Sequence, residues 1–241
     1  MRNPASVPEL QSLDRLIVSP LDVTDQNSIK DAVSATLKKF GSIDVLLNNA
    51  GYGLVGPMEA VTPAQLERQF ATNVYAPTYT MQACSPHFRG RKAGLIMNVT
   101  SVGGRLALPF NSLDHGTKFA LEGLSESLAL ELAPQGIQVK LIEPGGARTD
   151  FAGRSLDWLK QPSLTAYDQS LLGAVQRFMD PTRAVDYSDA SYIAEAIFEA
   201  TTDGKDQFRY LLSKDAQAMV AHRATLSDEA YRDWSVQTYQ L

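Results

Sequence analysis

Residues 43–51 read IDVLLNNAG, a mostly apolar run that stops at two asparagines, an alanine and a glycine. Ile43–Leu47 has the length and composition of a buried strand, and the residues after it mark the strand's end. The same arrangement recurs on both sides. Gly94–Val99 (GLIMNV) runs into Thr100-Ser101, and Val139–Ile142 (VKLI) runs into Glu143-Pro144-Gly145-Gly146. Upstream, Arg15–Leu21 (RLIVSPL) is short, apolar and partly β-branched, and it ends at Asp22. A last strand is expected at Phe208–Leu212.

Helical patterns fill the intervals. Ile29, Val33, Leu37 and Phe40 have helical spacing, and Gly41 is placed to end that helix. Thr62-Pro63 supplies a capping hydroxyl and a proline at the first helical position, for a helix expected to reach about Pro86. Another spans Leu113–Ala133 and stops before Pro134-Gln135-Gly136. Strands alternating with helices predict an α/β fold: a doubly wound, mainly parallel sheet with helices on both faces. The strands are continuous apolar runs, as burial on both faces requires. With no repeat, low-complexity tract or linker, residues 1–241 read as a single domain.

Composition narrows the function classes. Hydrophobic residues make up 44% and charged residues 20% of the chain, ordinary values for a globular protein. A net charge of −5 would steer neither nucleic acid nor an anionic membrane toward this surface. No apolar run approaches the ~18 residues of a membrane span. Cys84 is the sole cysteine, so no intrachain disulfide forms, and a buried structural thiol is expected. The expectation is a cytoplasmic protein without a metal site.

In parallel sheets of this kind ligands bind at the carboxyl ends of the strands. Those ends are Asp22-Val23, Asn48-Asn49-Ala50-Gly51, Thr100-Ser101 and Pro144-Gly145. With Asn73 in a helix, Thr117-Lys118-Phe119-Ala120-Leu121-Glu122-Gly123, and Thr149 four residues after Gly145, their order and spacing resemble the short-chain dehydrogenase/reductase family. The resemblance covers nearly the whole chain and implies a Rossmann-like fold.

It also implies roles. Asp22, with Val23 beside it, resembles the acid at the adenine edge of NAD or NADP, and Asn49, Ala50 and Gly51 the segment beside the adenosine ribose. Pro144, Gly145 and Thr149 resemble the nicotinamide loop. Ser101 matches the serine that hydrogen-bonds the substrate oxygen. Lys118 matches the lysine that binds the nicotinamide ribose, and Asn73 the residue whose helix distortion holds a water for proton relay. Arg2 falls near a basic residue that favours a 2′-phosphate, a weak NADP hint. Residues 151–188 fall where the family places its substrate helices. Trp158, Leu159, Leu164, Tyr167, Leu171, Leu172 and Phe178 there suggest a small hydrophobic or aromatic carbonyl or alcohol substrate. The helices carrying Asn73 and Lys118 resemble those that build family homodimers and homotetramers.

Two departures from the family stand out. Its proton-donating tyrosine lies thirteen residues after the serine and four before the lysine, and both counts land on Asp114. An aspartate with an ordinary pKa of ~3.9, one helical turn from Lys118, is expected to be an anion salt-bridged to that lysine. His115 is expected at the surface or an interface, and Tyr52 in a packing role. The glycine-rich turn that cradles a cofactor diphosphate has no counterpart before Arg15, so the first two family strands are expected to be missing and cofactor binding impaired. Gly51-Tyr52-Gly53-Leu54-Val55-Gly56 satisfies G-x-G-x-x-G but runs into Pro57 rather than a helix, and reads as an active-site loop. Three functions follow: a weak or inactive family oxidoreductase, a non-redox cyclase, isomerase or lyase using Asp114 as base, or a non-catalytic oligomeric relative.

Overall fold

The computed structural model describes residues 3–159 and 161–241, so Arg2 lies outside the described residues. In chain order the strands are Val45–Asn48 (β1), Gly53–Val55 (β2), Gly94–Val99 (β3), Ile137–Pro144 (β4), Ala147–Arg148 (β5), Leu156–Trp158 (β6), Ser188–Asp189 (β7) and Arg209–Leu212 (β8). The α-helices are Pro8–Gln11 (α1), Gln26–Phe40 (α2), Pro63–Phe70 (α3), Ala76–Arg91 (α4), Ser112–Leu132 (α5), Phe151–Arg154 (α6), Asp168–Phe178 (α7), Ala190–Thr202 (α8), Lys214–Ala224 (α9) and Asp228–Tyr239 (α10).

Four strands form the main sheet in the order β1-β3-β4-β8, every neighbouring pair parallel. Successive side chains of β3 point to opposite faces. Ile96 joins Met81, Cys84, Phe88, Ile137 and Val139, with Val33 of α2 and Leu128 of α5 packed against them. Leu95 and Met97 turn the other way, toward Ala200 of α8 and Leu212. Both faces of the parallel sheet are therefore covered by helices, the expected α/β arrangement. Cys84 is 1% exposed, and burial pushes its thiol up to about 11, so it is a packing residue.

Several boundaries differ from the sequence reading, each for a physical reason. Arg15–Leu21 is not a strand; it runs exposed or half-buried, with Leu16 O accepting from Lys39 Nζ at 2.9 Å. A strand needs a neighbour to complete its ladder, none of the described strands pairs with this segment, and Pro20 has no N–H to give. β1 is consequently an edge, with Val45 36% and Leu47 42% exposed. β4 is longer than expected because β3 pairs with it from Gly94–Ile137 through Val99–Ile142, and the ladder carries Gln138 along.

The helix opened by Thr62 has the full capping box, the Thr62 side chain on Gln65 N–H and Gln65 reaching back. It is not continuous. Ala71–Tyr75 forms a π turn, and the helix then reaches Arg91, past Pro86. Cys84 and Phe88 on either side of the proline are both buried against the sheet, and that packing outweighs the hydrogen bond Pro86 cannot make. Lys140 enters the core from β4 and is neutralised there: its Nζ donates to Ala200 O at 2.8 Å, Asp203 Oδ1 at 2.9 Å and Tyr210 Oη at 3.1 Å.

Candidate active site

Of the four segments expected at strand ends, Asp22-Val23 and Asn49-Ala50-Gly51 line a common cleft, and Thr100-Ser101 and Pro144-Gly145 do not. Asp22, Val23, Asn49, Ala50, Gly51 and Thr149 line one cleft of about 690 Å³, with Arg68 and Arg154 as its cations. Asp22 is held by its own turn, Oδ1 accepting from Thr24 N–H at 2.9 Å and the Thr24 hydroxyl at 2.7 Å. Behind the cleft, Asn48 Nδ2 donates to Asn98 Oδ1 at 2.8 Å, and Asn48 Oδ1 accepts from Thr80 Oγ1 at 2.6 Å. This ties β1 to β3 and to α4 at the strand end. Pro144 and Gly145 close β4 one step back from the cleft. Asp215 Oδ2 accepts from Gly146 N–H at 2.8 Å and fixes the loop that carries Thr149.

Asn73 sits inside the π turn and is 3% exposed. A π turn adds a residue to one helical turn, which re-aims the side chain. Asn73 uses it to clamp the Tyr52 backbone, Nδ2 donating to Tyr52 O at 2.8 Å and Oδ1 accepting from Tyr52 N–H at 2.9 Å. Gln69, one turn earlier, donates to the same carbonyl at 2.7 Å. Thr117 Oγ1 accepts from Asn73 Nδ2 at 3.0 Å and donates to Asp114 O at 2.7 Å. Gln69 and Thr117 are both fully buried; the sequence reading does not name Gln69, and it gives Thr117 no role beyond membership of the Lys118 stretch. Their available signal was spacing: Gln69 is four residues before Asn73, and Thr117 adjoins Lys118.

Ser101 is half-buried after β3, its Oγ accepting from Gly103 N–H at 3.1 Å. Lys118 Nζ lies 3.5 Å from Val99 O and would be 3.9 Å from a Cβ built on Gly51, so it reaches the cleft floor. Burial pushes its pKa down, while Asp114 and Glu122, each one turn away on α5, oppose that fall.

Asp114 departs from the expectation of a salt-bridged anion. Among the described residues no ion pair joins it to Lys118. Its Oδ1 accepts instead from Gln69 Nε2 at 3.1 Å. Burial pushes the carboxyl above the ordinary range, outweighing the Lys118 charge and the Gln69 donor, both of which pull it down. A short side chain cannot follow the route of a tyrosine ring into the cleft, so it stays half-buried on the Gln69 amide.

His115 is likewise not a surface residue. It is 8% exposed, and its Nδ1 accepts from Leu108 N–H at 3.2 Å. Burial pushes its pKa down to about 4. Tyr52 packs as expected, its ring with Leu54, Leu113 and Leu159 and its hydroxyl on Asp157 Oδ2 at 2.7 Å. Burial and that carboxylate push the phenol up to about 12, and its proton is spent on Asp157. Arg68 stacks 4.0 Å over the same ring and also meets Asp157 at 3.2 Å.

The glycines of 51–56 seat a second segment rather than a diphosphate. β2 pairs in parallel with β6. A Cβ on Gly53 would come within 2.7 Å of Leu156, and one on Gly56, at φ +146°, within 2.5 Å of Leu159. Of the apolar residues expected to line a substrate pocket, Leu159 is buried beside Tyr52, Trp158 and Leu172 are exposed, and Phe178 packs on Tyr239.

This arrangement has known counterparts. An uncharacterized oxidoreductase of Schizosaccharomyces pombe is 36% identical over 239 residues, covering 96% of both chains. The crystal structure of a short-chain dehydrogenase from Streptomyces avermitilis superposes with a TM-score of 0.83 at 30% identity, over 100% of this chain and 85% of that one. A metagenomic short-chain oxidoreductase in complex with NADP matches at TM-score 0.56 and 27% identity, over 60% of this chain and 68% of that one. The family model for short chain dehydrogenases spans residues 3–160, and with it the chain is placed: it belongs to the short-chain dehydrogenase family.

Proposed function

We propose that the chain is an NAD(P)-dependent oxidoreductase acting on a carbonyl or alcohol, with turnover held down by the carboxyl at position 114. One observation carries this reading. Residues that follow β1 and β5 meet Asp22 and Val23 on a single cleft, with Lys118 beneath it. The cleft residues fit a dinucleotide: Asp22 at the adenine end, the Asn49–Gly51 backbone along the ribose, Thr149 at the nicotinamide amide, and two arginines for anionic groups. The NADP in the metagenomic relative supports the same class of cofactor.

The dinucleotide supplies the hydride. The chain's own residues manage the oxygen and its proton. Ser101 Oγ holds the substrate oxygen, and the Lys118 ammonium stabilises the negative charge that develops there. Burial pushes the Asp114 carboxyl up, but it ends on Gln69 outside the cleft, so the alkoxide oxygen takes its proton from water and turnover is slow. The same burial weakens the reading of Asp114 as an ionised base for non-redox chemistry. Association into a homodimer or homotetramer is part of the proposal. Exposed Tyr75, Phe119 and Leu124 are apolar groups a second copy would cover, and a mass above one chain by light scattering is expected.

The decisive measurement is a fluorescence titration with NADPH and NADH. Binding with enhanced nicotinamide emission is expected, weakened in Thr149→Ala. No binding of either nucleotide up to about 1 mM, the upper end of ordinary Michaelis constants, defeats the proposal.

A further inference from the structure

Gln69 is 0% exposed, and only one end of its amide is satisfied. Nε2 donates to Tyr52 O at 2.7 Å and to Asp114 Oδ1 at 3.1 Å, while Oε1 is buried with no donor. Exchanging the two amide atoms does not help, since it would set the Gln69 oxygen against the Tyr52 carbonyl oxygen at 2.7 Å. A buried amide oxygen without a donor loses its hydration and gains nothing back.

Three groups bond to this amide. The Tyr52 carbonyl has no proton. The Thr117 hydroxyl, 3.4 Å from Nε2, has already committed its proton to Asp114 O at 2.7 Å. The carboxyl of Asp114 alone can change from acceptor to donor, by holding a proton.

We infer that Asp114 is a carboxylic acid paired with the Gln69 amide in a two-bond ring, Gln69 Nε2–H on Asp114 Oδ1 and Asp114 Oδ2–H on Gln69 Oε1. The buried Gln69 oxygen is then satisfied. The charges around the pair permit it. From α5 the only titratable group acting on Asp114 is Lys118, which forms no ion pair with it among the described residues; from α3 it meets neutral Gln69. Tyr52 offers its backbone, its hydroxyl being spent on Asp157. Desolvation of the carboxyl acts in the same direction.

The consequence rests on the oxidoreductase reading. The acid proton points at Gln69 and not at a substrate oxygen. Gln69 is a positioning residue that holds the proton away from the cleft.

Infrared difference spectroscopy of the cofactor-free protein at neutral pH tests the pairing. Wild type minus Asp114→Asn is expected to show one carboxylic acid C=O band. That band is expected to move to higher frequency in Gln69→Met, where its acceptor is gone. In Gln69→Glu, of the same size, it is expected to persist, because two adjoining carboxyls share a proton. No carboxylic acid band in the wild-type difference spectrum overturns the inference, as does a band that neither Gln69 variant shifts or that Gln69→Glu abolishes. No nucleotide is present, so a failure of NADPH to bind defeats the functional proposal and leaves this one standing.

Discussion

Asp114→Tyr is expected to raise kcat for carbonyl reduction by about 10²–10⁴-fold, the usual worth of a positioned proton donor. The geometry around position 114 gives the reason. The aspartate carboxyl ends on Gln69, behind the clamped Tyr52 backbone, and not in the cleft. A phenol is several ångströms longer and passes that wall. Its unperturbed pKa of ~10 is brought toward neutrality by the Lys118 ammonium one turn along the helix. Asp114→Phe is the control, since it supplies the ring and its packing without the proton. The rate of NADPH oxidation should climb in the tyrosine variant alone. Equal rates in the tyrosine and phenylalanine variants would mean that proton transfer at this position does not limit turnover.

Position 114 also separates what the sequence discloses from what it conceals. Two spacings, from Ser101 and from Lys118, mark position 114 as the counterpart of the family's proton donor, and the resemblance likewise points to the cleft residues Asp22, Asn49, Ala50, Gly51 and Thr149. The alternation of elements and the helix stop at Gly41 (φ +79°) are legible from local periodicity and capping. Environments are not. The spacing that puts Asp114 one turn from Lys118 says nothing of the Gln69 amide that holds its carboxyl instead. Arg15–Leu21 has the composition of a strand and lacks only a neighbour, which composition does not record. The π turn at Ala71–Tyr75 follows from Asn73 and Gln69 both reaching the Tyr52 carbonyl, a long-range demand invisible to local periodicity.

His115 carries the second large effect, and it is on stability. In the folded protein its pKa is pushed down to about 4, against an ordinary value of 6.5. Between those values the unfolded chain binds a proton and the folded chain does not, so stability falls as pH drops from 6.5 toward 4. A shift of that size is worth about 3 kcal/mol at the acid end. Asp114 next to it acts with the opposite slope: its raised pKa means the folded state keeps a proton the unfolded state has lost, so stability falls as pH rises above the ordinary carboxylate range. The two contributions are separable by substitution. His115→Asn keeps an acceptor near Nδ1 for Leu108 N–H and removes the titration. Chemical denaturation at pH 7 and pH 4.5 should show wild type losing more stability than His115→Asn, by about 2–3 kcal/mol. Parallel losses in the two proteins would mean that the imidazole is protonated in place and that the packing of its ring against Gly103 opens to water without unfolding.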